Sequence, residues 1–219
     1  MSSKKKNKEL KSVISLALMT ISVLLIIWSF WPPSNDRQTL VVNPEFIKNT
    51  GLQDCAPLNQ LLDYKFELVM PRALWKTQSS TILMTMSKVS DDSDQADAIL
   101  SRSDGTCTLA LETRITQTNL HSEPGDIIIQ PFVGADTQSF VFTVSPLASG
   151  TVSGKLWVYA DIRDTATGES QSLPLFTIPL DLPIWTIFGL SPILVRYASL
   201  LILLLLLAFY LRRRLLAEH

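Results

Sequence analysis

An antiparallel β-sandwich carried between two transmembrane helices is the architecture this chain predicts, and three observations predict it. Apolar runs of spanning length lie near both ends, Ser12–Trp31 and Leu182–Leu211. Basic residues flank each run on the side nearer its terminus: Lys4, Lys5, Lys6, Lys8 and Lys11 before the first, Arg212, Arg213 and Arg214 after the second. Between the runs, residues 35–183 alternate apolar and polar side chains with a period of two, the pattern of strands that bury one face.

Ser12–Trp31 is twenty residues without a charge. As a helix it is about 30 Å long, the thickness of a hydrocarbon core, and Pro32 and Pro33 stop it. Trp28, Phe30 and Trp31 match a small-residue cleavage site poorly, so the run reads as an uncleaved anchor with Trp28 and Trp31 in an interfacial aromatic belt. Residues 1–11 are then a basic cytoplasmic tail, and residues 212–219 a second one. Neither is long enough to hold a catalytic or output domain.

Leu182–Leu211 is too long for one simple span. Ser191–Pro192 offers a break, with serine as N-cap and proline at the first helical position, so residues 192–211 read as the second span and 184–190 as an apolar segment near the lipid surface. The positive-inside rule puts both termini in the cytoplasm and the middle outside it.

Arg196 is the one charge inside an apolar run. Two readings are open: its stem snorkels to the headgroups, or it pairs with an acidic residue of another subunit. The first span holds no Asp or Glu to serve as that partner. Ser15, Ser22 and Ser29 recur every seven residues and fall along one helix face, a small polar strip suited to close packing. The strip faces either the second span, which carries Ser199, or a partner protein.

The strands are read at Leu40–Val42, Tyr64–Met70, Thr81–Val89, Cys107–Ile115, Asp126–Gln130, Phe140–Val144, Leu156–Ile162 and Leu173–Leu182, about eight in all, with one short helix at Cys55–Tyr64. Eight strands suit two sheets, and in architecture alone the segment resembles the immunoglobulin-like class. No motif identifies a family. Both ends of the sandwich must lie on the membrane side, because its first and last strands run directly into the spans.

Cys55 and Cys107 are the only cysteines. In an oxidising compartment they predict one disulfide, two buried thiols being the alternative. The segment 37–183 carries ten Lys/Arg against seventeen Asp/Glu, a net of −7, which leaves nothing to neutralise nucleic-acid phosphates.

Chemistry is sparse. His121 and His219 are the only histidines, no GxSxG is present for a hydrolase, and no Cys/His cluster is present for zinc. Asp91, Asp92, Asp94 and Asp97 form an acidic run without the glycine and closing glutamate of an EF-hand, and read as a solvated loop. No cofactor motif appears. The expectation is a non-catalytic protein whose partners are membrane lipid and other membrane subunits, in a plasma membrane that the short tails and lack of N-x-S/T sites mark as bacterial. A sensor or ligand-binding module is the alternative. Trp75, Trp157 and Tyr159 are contact candidates, the last two because they share the strand face opposite Leu156, Val158 and Ala160.

Overall fold

The computed structural model describes residues 2–31, 33–49, 55–89, 107–187 and 189–215. The acidic run Asp91–Asp97 and His219 lie outside them. The chain opens with helix α1 (Ser2–Phe30), then strand β1 (Asn35–Val41), helices α2 (Pro44–Asn49) and α3 (Ala56–Gln60) and a 3-10 turn at Leu61–Asp63. Strands β2 (Tyr64–Pro71), β3 (Leu74–Trp75), β4 (Ser80–Lys88), β5 (Cys107–Gln117), β6 (Leu120–Glu123) and β7 (Ile127–Pro131) follow. β8 (Thr137–Pro146), β9 (Gly150–Asp164), β10 (Ser170–Trp185) and helix α4 (Pro192–Leu215) complete the chain.

The strands form two five-stranded sheets, ordered β1-β2-β4-β8-β6 and β3-β10-β9-β5-β7. Neighbours are antiparallel except β3, which runs parallel to the end of β10. One hydrophobic core joins the inward faces: Phe66 and Leu68 of β2, Met84 of β4 and Phe140 and Phe142 of β8 meet Leu111 of β5, Leu156, Val158 and Ala160 of β9 and Leu180 of β10. Each large apolar side chain buried this way contributes about 1.5–3 kcal/mol. The period-two reading of the long strands matches this core because one face of each is sealed and the other is not.

Two departures from the sequence reading matter. β1 begins at Asn35, five residues before its apolar part, because an edge strand paired on one side tolerates the polar stretch Asn35–Thr39. Ile184 and Trp185, read as part of a surface segment, instead belong to β10. Only Ile187 and Leu190 then bridge each other across a tight turn, with Gly189 at φ +77°.

Cys55 and Cys107 are joined, with Cα atoms 5.7 Å apart. Cys55 caps α3 and Cys107 opens β5, so the bond ties a helix to a strand. At the opposite end of the sandwich, the start of β1 and the end of β10 both face the helices. Within α1 and α4, Val13–Phe30 and Pro192–Arg212 are long and apolar enough to cross a membrane, with mean hydropathy 2.5 and 2.3.

Candidate functional site

At the helix-bearing end, α1, β3, β10 and α4 meet in a joint built around tryptophan. A helix leaves its last carbonyls without intrahelical donors, and α1 finds donors for two oxygens at its end in distant parts of the chain. The Trp75 indole N–H of β3 donates to the Trp31 carbonyl at 3.0 Å. The Arg196 guanidinium of α4 donates to the Ser29 carbonyl, and its Nε donates to Ser29 Oγ at 3.2 Å. The same hydroxyl donates back to the Ile26 carbonyl at 2.8 Å. Arg196 also lies over the Phe30 ring, 4.0 Å from its centroid. Its positive charge thus sits at the negative end of the α1 dipole, a favourable placement for a cation.

Arg196 thus has a partner within the chain that neither sequence reading named. The first span, 12–31, holds no carboxylate, but neutral oxygens serve a guanidinium as well, and Ser29 supplies two of them. Trp75 is likewise corrected as an outward contact candidate. It is 2% exposed, edge-on to Trp28 at 5.9 Å and to Trp185 at 5.4 Å. Ile187 and Val195 are buried against it, with Leu25 of α1 alongside. Lys76 N–H donates to the Trp185 carbonyl at 3.1 Å, which locks β3 to β10.

The α4 end of the joint is capped locally. Ser191 Oγ accepts from Leu194 N–H at 3.4 Å and the Ser191 carbonyl accepts from Val195 N–H at 3.1 Å, with Pro192 leading the helix. The two helices then pack on each other. Ser22, Ser29 and Ser199 are buried and Ser15 is half-buried; small side chains of this kind let helix backbones approach closely.

A second cluster lies on the outer face of the second sheet. Trp157 and Tyr159 alternate with the buried Leu156, Val158 and Ala160 and are half-buried. Their rings stack at 5.9 Å with planes 17° apart. Lys155 lies over Trp157 at 5.5 Å and Arg114 over Tyr159 at 5.7 Å, each within cation–π range. Trp157 Nε1 donates to Thr116 Oγ1 at 3.0 Å, and Arg114 pairs with the buried Glu112 at 2.6 Å. The ladder is therefore braced within its own sheet, and Ile127 and Ile129 of β7 are exposed on the same sheet. Period two puts Lys155 on the face of Trp157 and Tyr159, but neither periodicity nor composition could show Arg114 over Tyr159, since a residue of β5 joins three of β9 only through register.

Elsewhere, a groove of about 540 Å³ lies at the end of the second sheet away from the helices, lined in part by Ala110, Ile129, Asp161, Arg163 and Ser172. His121 stands exposed on β6 beside Glu123 at 3.5 Å. Among the described residues, no group of three or more His, Cys, Asp or Glu is placed to hold a metal ion. Burial, then the carboxylates of Asp136 and Asp63, raises the Tyr64 phenol above its ordinary value.

No protein-family model matches the chain, and no curated protein matches it. Among solved structures, the cupredoxin domain of amoB from Nitrosocaldus yellowstonii is similar over 68% of this chain and 84% of that chain, at 11% identity and a TM-score of 0.18. A likeness that slight carries neither a fold assignment nor a function to this chain, which is described by its two sheets and two apolar helices.

Proposed function

We propose that this chain is a non-catalytic two-span membrane subunit that presents an extracytoplasmic, immunoglobulin-like sandwich to other membrane proteins. Both termini lie in the cytoplasm of a bacterial cell, as an accessory or scaffold part of a complex. The observation that carries the reading is the ladder of Trp157, Tyr159, Lys155 and Arg114 on an outer sheet face. Rings already held in one arrangement lose little freedom on binding, and aromatic and arginine side chains dominate protein contacts. The disulfide supports an oxidising compartment for the domain.

Extraction of the full chain in mild detergent tests this. A stoichiometric membrane partner is expected to co-purify, and the Trp157→Ala/Tyr159→Ala variant to lose it; a wild-type chain that elutes alone contradicts the accessory role. The groove near Ala110 and Arg163 favours a second reading, a sensor of an extracytoplasmic ligand relaying through its helices. That reading requires the isolated chain to be stabilised by a small molecule or peptide, with the effect lost on Arg163→Ala.

A further inference from the structure

The two sheets differ in how their edges are closed, and among the described residues the edge strand β1 is left unpaired on its outer side. In an antiparallel strand the N–H and C=O of alternate residues point to the same side. The Trp185 carbonyl of β10 accepts from Lys76, so the outward positions of the last stretch of β10 are Thr177, Asp181, Trp185 and the prolines Pro179 and Pro183. Proline has no N–H, so two of those positions cannot donate to an added strand and Trp185 is already engaged by β3. β7 is five residues long and ends at Pro131, whose carbonyl accepts from Gln138. β6 is four residues long.

β1 has none of these devices. The Ser34 carbonyl accepts from Arg72 N–H at 2.8 Å, so Asp36, Gln38 and Leu40 face β2 and Asn35, Arg37, Thr39 and Val41 face outward. These seven residues contain no proline and no register shift. Among the described residues, no backbone group partners the outward N–H or C=O of Arg37, Thr39 or Val41. Such an edge is a template for another strand.

We propose that β1 is a docking edge, and that its occupant is an extended extracytoplasmic segment of a neighbouring membrane protein which adds a strand to the first sheet. The inference rests on the accessory-subunit reading and adds a second hold on the partner, on the sheet that does not carry the ladder. β1 starts five residues after α1 ends, so the edge rises directly from the membrane, within reach of a protein anchored beside it. A second copy in the same bilayer does not complete it. A two-fold axis along the membrane normal makes the two β1 strands parallel and sets each outward residue level with itself, whereas parallel pairing needs a one-residue offset. Arg37, 75% exposed at its side chain and paired with Glu67 at 3.5 Å, favours an acidic residue across from it. Val41, 61% exposed, favours an apolar one.

The test uses the full chain purified with and without its partner in mild detergent. Amide exchange at Arg37, Thr39 and Val41 is expected to slow about 10-fold or more in the complex, and a photo-crosslinker at position 39 is expected to join an extended segment of the partner. Thr39→Pro places at β1 the device that closes β10, and is expected to release the partner about 10-fold more readily while the strand circular dichroism is unchanged. Thr39→Val keeps the N–H and is expected to keep the partner. Unchanged exchange in the complex, equal retention by Thr39→Pro, or a crosslink between two copies overturns the docking edge but leaves the accessory role standing. A wild-type chain with no partner overturns both. Should Thr39→Pro fail to fold, the exchange measurement on the wild-type complex decides alone.

Discussion

Tryptophan and cationic side chains build both the joint and the outer ladder, but they spend their hydrogen bonds in different places. In the joint, Trp75 and Arg196 donate to main-chain oxygens of another element, Trp31 and Ser29 at the end of α1. Removing either unties α1 from the sandwich or from α4. On the ladder, Trp157 donates to Thr116 of the adjacent strand and the cations rest on rings of the same sheet. Those contacts tie together strands that the β5–β9 pairing already holds. The same chemistry therefore joins elements that no strand pairing links in the joint, and in the ladder adds to two strands that are already paired.

Substitutions that break this contrast should rank accordingly. Trp75→Ala removes a fully buried indole, its two edge-on neighbours and a capping donor. It should cost about 3–5 kcal/mol, read as a lower midpoint in chemical denaturation of the detergent-solubilised chain. Arg196→Leu leaves the Ser29 carbonyl without its charged donor and should cost about 1.5–3 kcal/mol. Its signature is a loss of crosslinking between cysteines placed in α1 and α4 while the sandwich still melts cooperatively. Crosslinking unchanged by Arg196→Leu would mean that the serine strip alone holds the helices. Trp157→Ala, by contrast, should cost only about 1 kcal/mol, although it removes the Tyr159 stacking, the Lys155 contact and the Thr116 hydrogen bond, because all three lie on a half-buried sheet face.

The smallest effect concerns pH at the end of the sandwich farthest from the joint. Tyr64 is buried and its phenol is raised above 10.0, first by burial and then by Asp136 and Asp63. The folded state therefore holds this proton more tightly than the unfolded chain does. The contribution is fully present below pH 10 and is lost as pH climbs from there through the folded-state value. Tyr64→Phe should flatten that alkaline loss in melts followed by circular dichroism.

How much of this was legible in the sequence differs between the two regions for the same reason. Strands such as β4 and β9 announce themselves because burial of one face imposes period two, and the aromatics opposite Val158 were visible as an outer pair. The first half of β1 was not legible, since an edge strand has no obligation to be apolar on either side of its polar residues. The joint was legible only in part. The seven-residue serine spacing pointed to one face of α1, and Ser191–Pro192 marked where α4 begins. Arg196 stood out as the one charge in an apolar run and Trp75 as a contact candidate, but neither revealed its acceptor, because each acts on an oxygen far away in the chain, and a backbone carbonyl leaves no trace in residue type. Cys55 and Cys107 were legible as a pair because no other pairing existed.

The central claim is that the joint holds the molecule together while the ladder faces a partner. Side-by-side purification of wild type and the Trp157→Ala/Tyr159→Ala variant from membranes tests it most directly, with thermal stability measured on the same samples. The account predicts a partner bound to wild type, its loss by about 10-fold or more in the variant, and melting temperatures within a few degrees of each other. Equal retention of the partner by both chains, or partner loss only in step with unfolding, would contradict it.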